Sequence, residues 1–314
     1  MTHLSRAIEL AERGRGTTDP NPIVGAVVVS PAGEVVGEGW HERRGEPHAE
    51  VNALRAAGDR ARGATLYVSM EPCAHQGTTP PCATAVVEAG IARAVIGSRD
   101  PNPAAGGGAE RLRAAGIEVE LVDSFEARRQ NEAWRTWVSK GRPFVTHKVA
   151  ATLDGRVTVP GARWVTGEES RRLVHELRAA SDAVAVGMGT VRTDEPRLDA
   201  RDVPVLRQPR RLAFGRGPLP EASELELRSG PLREELEALA AEGVQSLLLE
   251  GGPTLATSFF AEGLVDKVLL FVAPTISGDG PHLLGELPGP ISLTRATARQ
   301  VGNDILIEAY VNEP

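Results

Sequence analysis

The stretch from Met70 to Cys82, MEPCAHQGTTPPC, contains both cysteines of a chain of 314 residues. An apolar segment typical of a strand, ATLYVSM (64–70), runs into it, and PCATAVVEAG (81–90) leaves it with the pattern of a helix. Pro81 suits the first position of that helix, and a helix N-terminus would favour the thiolate form of Cys82. Two cysteines in one such loop indicate metal binding or catalysis rather than a disulfide.

Composition limits what kind of protein can surround this loop. Hydrophobic residues make up 41% and charged residues 25%, as in ordinary globular proteins, and the length suits two domains of ordinary size or one large one. The net charge of −7 leaves no basic face, so we expect no nucleic-acid partner. The N-terminus lacks the apolar run of an export signal and no stretch is long enough to span a membrane, so we expect a cytoplasmic protein with no membrane partner.

Strand-like and helix-like segments alternate along the first half. Strands are predicted at 23–30, 64–70, 93–98 and 117–122, and helices begin near His48, Pro81 and Gly108, each ending at a glycine. This alternation predicts an α/β domain with a buried sheet, and the boundary is placed at Gly141–Pro143. A second α/β alternation follows, with strands beginning near residues 144, 182, 210, 244, 266 and 304. We therefore predict domains at 1–143 and 144–314.

A metal site is the best explanation of the two cysteines. His48 in PHAE, Cys73 and Cys82 supply one imidazole and two thiolates, the three ligands of a catalytic zinc that keeps a fourth position for water. Glu50 follows His48 by two residues and is better placed to carry protons beside the metal than to bind it. His-x-Glu followed by Pro-Cys and a second cysteine is the signature of zinc nucleobase deaminases.

One alternative competes with this interpretation, and the spacing departs from the signature at one point. His75 would complete a closed, purely structural zinc site. The deaminase signature also has two residues between its cysteines, whereas eight separate Cys73 from Cys82 here, so the longer loop must serve an additional purpose.

The second half has two glycine-bearing turns directly after apolar strands. VGMGTV begins at Val186 and EGGPT begins at Glu250. Glycines between a strand and a helix let backbone N–H groups approach an anion closely, and GGPTLATSFF would suit a pyrophosphate. A Rossmann site is not expected, because no GxGxxG fingerprint is present.

Motifs from both halves resemble one known family, the bifunctional riboflavin-biosynthesis deaminase/reductases. The first half carries NPIVGAVVV, GWHERRGEPHAEVNAL, EPCAHQGTTPPC and DPNP, and the second carries PFVTHKVAATLDGR, RWVTGEESRRLVHELRAASDAVAVGMGTVRTDEPRL and LLLEGGPTLATSFF. The resemblance implies a cytidine-deaminase-like N-terminal domain followed by a dihydrofolate-reductase-like C-terminal domain.

The same resemblance implies a substrate and site residues. The first half would deaminate a diaminopyrimidinone ribosyl phosphate, with zinc on His48, Cys73 and Cys82 and with Glu50 as the catalytic proton carrier. The substrate would contact Asn21, His75, Asp100 and Asn102 in the first half. The second half would then reduce the ribosyl group to ribityl with NADPH, and its substrate contacts would be Arg178, Leu198, Arg201 and Glu250. Apart from the resemblance, Lys148, just before the turn-like segment TLDGR, is a further candidate substrate residue. The residues implied for NADPH are Ala150, Trp164, Thr190, Asp194, Gly252, Pro253, Thr254, Leu255, Ala256, Thr257 and Ser258.

The chain departs from the family pattern at three places. The family often has Lys or Arg where this chain has Thr78, which affects the expected phosphate contact. The segment 215–243 is shorter than in the family, so a strand there would be trimmed or missing. DEPRLDAR (194–201) replaces a motif of the form DDPxLTVR but keeps Asp194 and Arg201.

Two other functions remain open on the sequence. One is a zinc deaminase of another nucleobase, such as tRNA adenosine, with a non-catalytic second half. The other is a zinc-stabilised nucleotide-binding protein. For the favoured bifunctional enzyme we expect a homo-oligomer, either a dimer or a tetramer.

Overall fold

The computed structural model describes residues 2–75 and 80–314, so Thr78 lies outside the described residues. The chain forms two compact units, Met1–Lys140 and Gly141–Glu313. Their division falls immediately before the Gly141–Pro143 segment. Within the described ranges, no helix combines the length and apolar character needed to cross a membrane.

The first unit is a five-stranded sheet with helices. Its helices are α1 (His3–Ala11), α2 (Ala49–Ala57), α3 (Cys82–Glu88), α4 (Gly108–Ala114), α5 (Phe125–Gln130) and α6 (Glu132–Lys140). Its strands are β1 (Gly25–Val29), β2 (Val35–Trp40), β3 (Thr65–Val68), β4 (Arg93–Ile96) and β5 (Glu118–Leu121). The strand order is β2-β1-β3-β4-β5, with β1 antiparallel to both neighbours and β3, β4 and β5 parallel.

Close backbone packing explains why β2 carries no strand signal in the sequence. Its sequence, VVGEGW, contains Gly37 and Gly39, residues that weaken a strand prediction. A Cβ atom at Gly37 would lie 2.2 Å from the carbonyl oxygen of Ala53, and one at Gly39 would lie 2.4 Å from the amide nitrogen of the same residue. The glycines therefore let α2 pack directly on the sheet, and this packing fixes the position of the helix that begins after His48.

The second unit is built on an eight-stranded sheet. Its helices are α7 (Glu168–Ala179), α8 (Met188–Asp194), α9 (Leu232–Ala241) and α10 (Pro253–Ala261). Its strands are β6 (Phe144–Thr152), β7 (Ala183–Gly187), β8 (Arg210–Phe214), β9 (Glu226–Arg228), β10 (Ser246–Leu249), β11 (Lys267–Ala273), β12 (Thr294–Val301) and β13 (Asp304–Tyr310).

Parallel strands occupy the middle of this sheet. The order is β12-β13-β11-β6-β10-β7-β8-β9, with parallel pairing from β11 through β9 and antiparallel pairing of β13 with its two neighbours. The carboxyl ends of β10 and β7 therefore lie side by side, and each leads directly into a glycine-bearing helix start. Ligands of open α/β sheets bind at such carboxyl edges.

The segment 215–243, which we expected to have lost or trimmed a strand, contains one very short strand and one helix. These are the three-residue strand β9, at the edge of the sheet, and helix α9.

Strand β12 is not predicted from the sequence because its side chains are exposed. Seven of its eight residues are exposed, so its sequence, TRATARQV, has no apolar alternation.

Candidate active sites

The first unit contains a cavity of about 330 Å³. It brings together residues that lie far apart in the sequence, including every first-half site residue predicted above except the buried ligand Cys82. These lining residues are Asn21, His48, Glu50, Cys73, His75, Asp100 and Asn102. Trp134 and Trp137 of α6 add an aromatic wall.

Local structure places the three predicted zinc ligands together. His48 directly precedes α2 with extended backbone angles, Cys82 is the first residue of α3, and Cys73 follows β3. The Nδ1 atom of His48 lies 3.2 Å from the sulfur of Cys82 and 3.8 Å from that of Cys73. The ligand atoms of the three residues all lie within 4.8 Å of one another, as a shared metal ion requires.

The chemistry of these donors fits zinc. Hydrogen bonding with Cys82 and His48 outweighs burial and holds the pKa of the Cys73 thiol well below its usual range, and the backbone N–H of Cys82 donates to the Cys73 sulfur at 3.3 Å. A thiolate is the form that binds metal. Among the described residues, His75 does not belong to this cluster, which leaves three protein ligands and the arrangement of a catalytic rather than a closed zinc site.

Glu50 lies in the first turn of α2 beside the ligands. Its side chain is buried, and burial raises the pKa of its carboxyl group to about 6. A carboxyl group with a pKa near neutrality can both accept and release a proton at physiological pH. It therefore has the property needed of a proton carrier at this cavity.

The loop after β4 also lines the cavity. The side chain of Asp100 accepts a hydrogen bond from the amide of Asn102 at 2.8 Å, and the side chain of Asn102 accepts one from the amide of Ala104 at 3.0 Å. Burial raises the pKa of Asp100 to about 6. These internal bonds hold Asp100 and Asn102 in a defined loop conformation at the cavity wall.

Two further cavity residues have no sequence signal of their own. His41 is buried, and its ring lies edge-on to His48 with ring centres 5.0 Å apart. Glu71 is also buried and lies two residues before Cys73. Both lie within the quoted motifs, but their part in the cavity depends on tertiary packing.

A second polar cluster lies in the second unit. Arg178 donates to both carboxylate oxygens of Glu250, at 2.6 and 2.9 Å, and the Lys148 nitrogen lies 4.0 Å from the same carboxylate. Burial opposes ionisation of Glu250, but the hydrogen bonds from Arg178 prevail and lower its pKa. Burial also lowers the pKa of Lys148, an effect that the charge of Glu250 opposes. Three predicted substrate residues therefore lie close together: Lys148 on β6, Arg178 on α7 and Glu250 directly after β10.

Gly252 fits the interpretation of an anion-binding turn. It immediately precedes α10, with Pro253 in the first turn and backbone angles of φ −64° and ψ 176° that any residue adopts. The nearest atom to an added Cβ would be Thr190 Oγ1 at 3.5 Å, which is an ordinary contact. Neither backbone conformation nor internal packing requires glycine here, and the space beside it at the helix N-terminus would admit an anion.

The other predicted second-half residues are spread over several elements. Ala150 lies on β6, Thr190 and Asp194 on α8, and residues 253–258 on the first turns of α10. Trp164 is 54% exposed and lies between Arg163 and Arg171, whose guanidinium groups face its ring. Leu198 is buried with φ of 55°, and Arg201 donates to Asp199 at 2.7 Å.

Comparison with known protein families assigns the two units separately. The model of the cytidine and deoxycytidylate deaminase zinc-binding region matches residues 1–98. The model of the RibD C-terminal domain matches residues 143–307. These matches confirm the predicted fold class, a cytidine-deaminase-like domain followed by a dihydrofolate-reductase-like domain.

Individual relatives match over nearly the whole chain. The riboflavin biosynthesis protein RibD of Aquifex aeolicus is 40% identical, with 97% of this chain and 96% of that protein covered. RibD of Escherichia coli is 37% identical, with 97% of both chains covered. Similarity at this level extends through both units, which favours a bifunctional enzyme over a deaminase with a non-catalytic second half.

Solved structures give the same result. A Thermotoga maritima diaminohydroxyphosphoribosylaminopyrimidine deaminase/5-amino-6-(5-phosphoribosylamino)uracil reductase has a TM-score of 0.83 at 35% identity, covering 98% of this chain and 97% of its own. RibD of Acinetobacter baumannii has a TM-score of 0.81 at 35% identity with the same coverage. The predicted resemblance is thereby confirmed, and the chain belongs to the RibD family of bifunctional deaminase/reductases of riboflavin biosynthesis.

Proposed function

We propose that the first unit deaminates 2,5-diamino-6-(5-phosphoribosylamino)pyrimidin-4-one and that the second reduces the ribosyl group of the product to ribityl. The two cofactors of these activities are zinc and NADPH. The observation that carries the proposal is the convergence of His48, Cys73 and Cys82 beside buried Glu50, next to a cavity of about 330 Å³ that His48, Cys73 and Glu50 line. A cavity of this size suits a small molecule rather than a macromolecule.

In the deaminase half, His48, Cys73 and Cys82 would hold the zinc. When bound there, zinc would supply an activated water at neutral pH. Glu50, with its pKa near 6, would take up a proton from the attacking water and deliver it to the departing amino nitrogen, so that ammonia leaves. Asn21, His75, Asp100 and Asn102 would bind the pyrimidine and ribosyl phosphate.

In the reductase half, NADPH would supply a hydride to C1′ of the ribosyl group. For C1′ to accept it, the bond from C1′ to the ring oxygen must break before or as the hydride arrives, and the released oxygen takes up a proton to become a hydroxyl group. Lys148 suits this task because its lowered pKa makes it a better proton donor than an exposed lysine. Glu250 and Arg178 would hold Lys148 and the sugar in place, and Leu198 and Arg201 would contribute to the substrate site.

The proposed cofactor residues of the reductase half lie near the carboxyl edge of the parallel strands. Gly252 and residues 253–258 would bind the pyrophosphate at the N-terminus of α10, with Thr190 beside them. Ala150, Trp164 and Asp194 would contact the remaining parts of NADPH.

Both activities can be tested with one substrate. Purified zinc-loaded protein is given the diaminopyrimidinone ribosyl phosphate, and ammonia release and NADPH oxidation are followed together. We expect ammonia to appear without NADPH and NADPH oxidation to require prior deamination. Release of ammonia without any later NADPH oxidation would contradict the reductase assignment.

We also propose a cytoplasmic homo-oligomer, either a dimer or a tetramer. Support for association comes from β12, which is an edge strand with seven exposed residues of eight. Proteins usually protect or cover such edges. Light scattering coupled to size-exclusion chromatography would measure the mass, and a monomer of 33.3 kDa at micromolar concentration would contradict this proposal.

A further inference from the structure

Glu71 links the loop that carries a metal ligand to the loop that carries two substrate residues. It follows β3, lies two residues before Cys73 and is 5% exposed. One carboxylate oxygen accepts the backbone N–H of Asp100 at 3.2 Å, and the other accepts that of Ala109 at 2.9 Å. A buried carboxylate needs such partners, because burial without them is costly.

The two amides bonded by Glu71 lie at the two ends of the 100–109 loop, a segment that includes the first two residues of α4, Gly108 and Ala109. Asp100 begins this loop, and Asn102 follows it at the cavity wall. Inside the loop, the carbonyl oxygen of Asn102 accepts hydrogen bonds from the amides of Ala105 and Gly106 at 3.0 and 2.9 Å. A single side chain therefore holds both ends of a loop whose interior is fixed by its own bonds.

Backbone contacts also connect the segment around Cys73 with residues 98–108. The amide of Glu71 donates to the carbonyl of Ser98 at 2.9 Å, and the amide of Ala74 donates to the carbonyl of Ala105 at 3.1 Å. A Cβ atom at Gly108 would lie 1.7 Å from the carbonyl oxygen of Pro72, so the start of α4 touches the metal-ligand loop. Because of these contacts, a shift of the 100–109 loop would also shift the segment that carries Cys73.

We propose that Glu71 is a positioning residue of the deaminase site. It fixes the 100–109 loop against the Pro72–Cys73 segment and so sets the distance between the metal ligands and the substrate contacts Asp100 and Asn102. Glu71 acts through these residues and does not itself contact the reacting atoms. The inference rests on the proposed deaminase function, because it assigns a role in substrate binding.

The test compares Glu71→Gln with Glu110→Gln. The amide of Glu71→Gln keeps one acceptor oxygen but directs its NH₂ group at a backbone N–H, leaving a buried amide unpaired. Glu110 is a matched control, because it lies next to Ala109 in α4 and its side chain is 55% exposed. We measure zinc content, ammonia release over a range of substrate concentrations, and NADPH oxidation on the deaminated substrate.

For Glu71→Gln we expect the Michaelis constant of deamination to rise about ten- to a hundredfold, with a smaller fall in kcat. Zinc content and the second-half reaction should match the wild type, and Glu110→Gln should match it in every measurement. Glu71→Asp keeps the charge but is too short to reach both amides, so it should raise the same constant and provides the test if Glu71→Gln does not fold.

Three results would overturn the inference. A folded, zinc-loaded Glu71 variant with an unchanged Michaelis constant and only a lower melting temperature would make Glu71 merely structural. Loss of zinc would show that it supports Cys73 rather than the substrate loop. An equal effect of Glu110→Gln would remove the specificity of the contact. Wild-type protein that releases no ammonia would instead overturn the proposed function itself, and the inference with it.

Discussion

The sulfur of Cys82 lies 3.2 Å from Nδ1 of His48, and each of these residues stands at the start of a helix. The expectation that the helix N-terminus favours the thiolate form of Cys82 is not met, because hydrogen bonding with Cys73 and burial raise the pKa of the Cys82 thiol, and Cys73 is the more acidic of the two. The starts of two helices and the loop after β3 bring the donor atoms of the three predicted ligands within 4.8 Å of one another.

Removal of one thiolate should abolish zinc binding. We expect about one zinc per chain in the wild type and less than about a tenth of that in Cys73→Ser, because two ligands do not hold zinc at neutral pH. Metal content is measured by mass spectrometry after dialysis against a weak chelator. A Cys73→Ser protein that still holds one zinc per chain would contradict the ligand assignment.

Replacement of the buried carboxyl group of Glu50 should stop catalysis without removing the metal. Glu50→Gln is expected to keep its zinc but to release ammonia about a hundred- to ten-thousandfold more slowly, because an amide cannot carry protons. Glu88→Gln, at an exposed position of α3, should behave as the wild type. Loss of zinc from Glu50→Gln would make Glu50 a structural residue instead.

The sequence identifies the three clustered residues His48, Cys73 and Cys82 more readily than the residues around them. His48, Cys73 and Cys82 have a distinctive spacing, and Pro81 correctly indicates the helix that begins at Cys82. The strands β2 and β12 carry no such signal, because close helix packing requires glycines in one and exposure leaves the other polar. His41 and Glu71 join the site through contacts between distant segments, which no local pattern records.

A side chain at Gly252 should block the cofactor while sparing the fold. Any residue can adopt the backbone angles of Gly252, and an added Cβ meets no atom closer than 3.5 Å. Gly252→Asp should therefore fold but place a negative charge where the pyrophosphate would bind, weakening NADPH binding at least about a hundredfold.

Fluorescence titration with NADPH measures this loss directly. Gly289→Asp serves as the control, because Gly289 is exposed and has no atom within 4 Å of its Cβ position. Zinc content and ammonia release should be unchanged in both variants. Equal NADPH affinity in Gly252→Asp and the wild type would exclude the turn before α10 as the pyrophosphate site.

Arg201 and Arg197 both pair with Asp199, so replacing each in turn gives a matched test of substrate binding by Arg201. Arg201 lies 2.7 Å and Arg197 lies 3.2 Å from the side chain of Asp199. Arg201→Ala should raise the Michaelis constant for the sugar phosphate about ten- to a hundredfold, with little change for NADPH, because a guanidinium group pairs with phosphate oxygens. Arg197 is 77% exposed, and Arg197→Ala should change neither constant. If steady-state NADPH oxidation shows the same effect for both variants, Arg201 has no special role.

Acid should destabilise the second unit through His147. This residue lies on β6, is buried and packs edge-on against Phe260, with ring centres 5.5 Å apart. Burial lowers its pKa to about 4, below the value of about 6.5 expected in the unfolded chain. The unfolded state therefore binds a proton more readily than the folded state between these two values, so the contribution of neutral His147 to stability is complete above about pH 6.5 and is lost as the pH falls toward 4.

His147→Leu should remove this pH dependence, because leucine fills similar space and does not titrate. Relative to this variant, the wild type should lose about 2 kcal/mol of unfolding free energy between pH 7.5 and pH 5, at about 1.4 kcal/mol per pH unit over the range where only the unfolded state is protonated. Urea unfolding of both proteins at the two pH values, followed by circular dichroism, gives the difference, and contributions common to both proteins cancel. If the unfolding free energies of the two proteins change equally with pH, protonation of His147 in the folded state costs no stability.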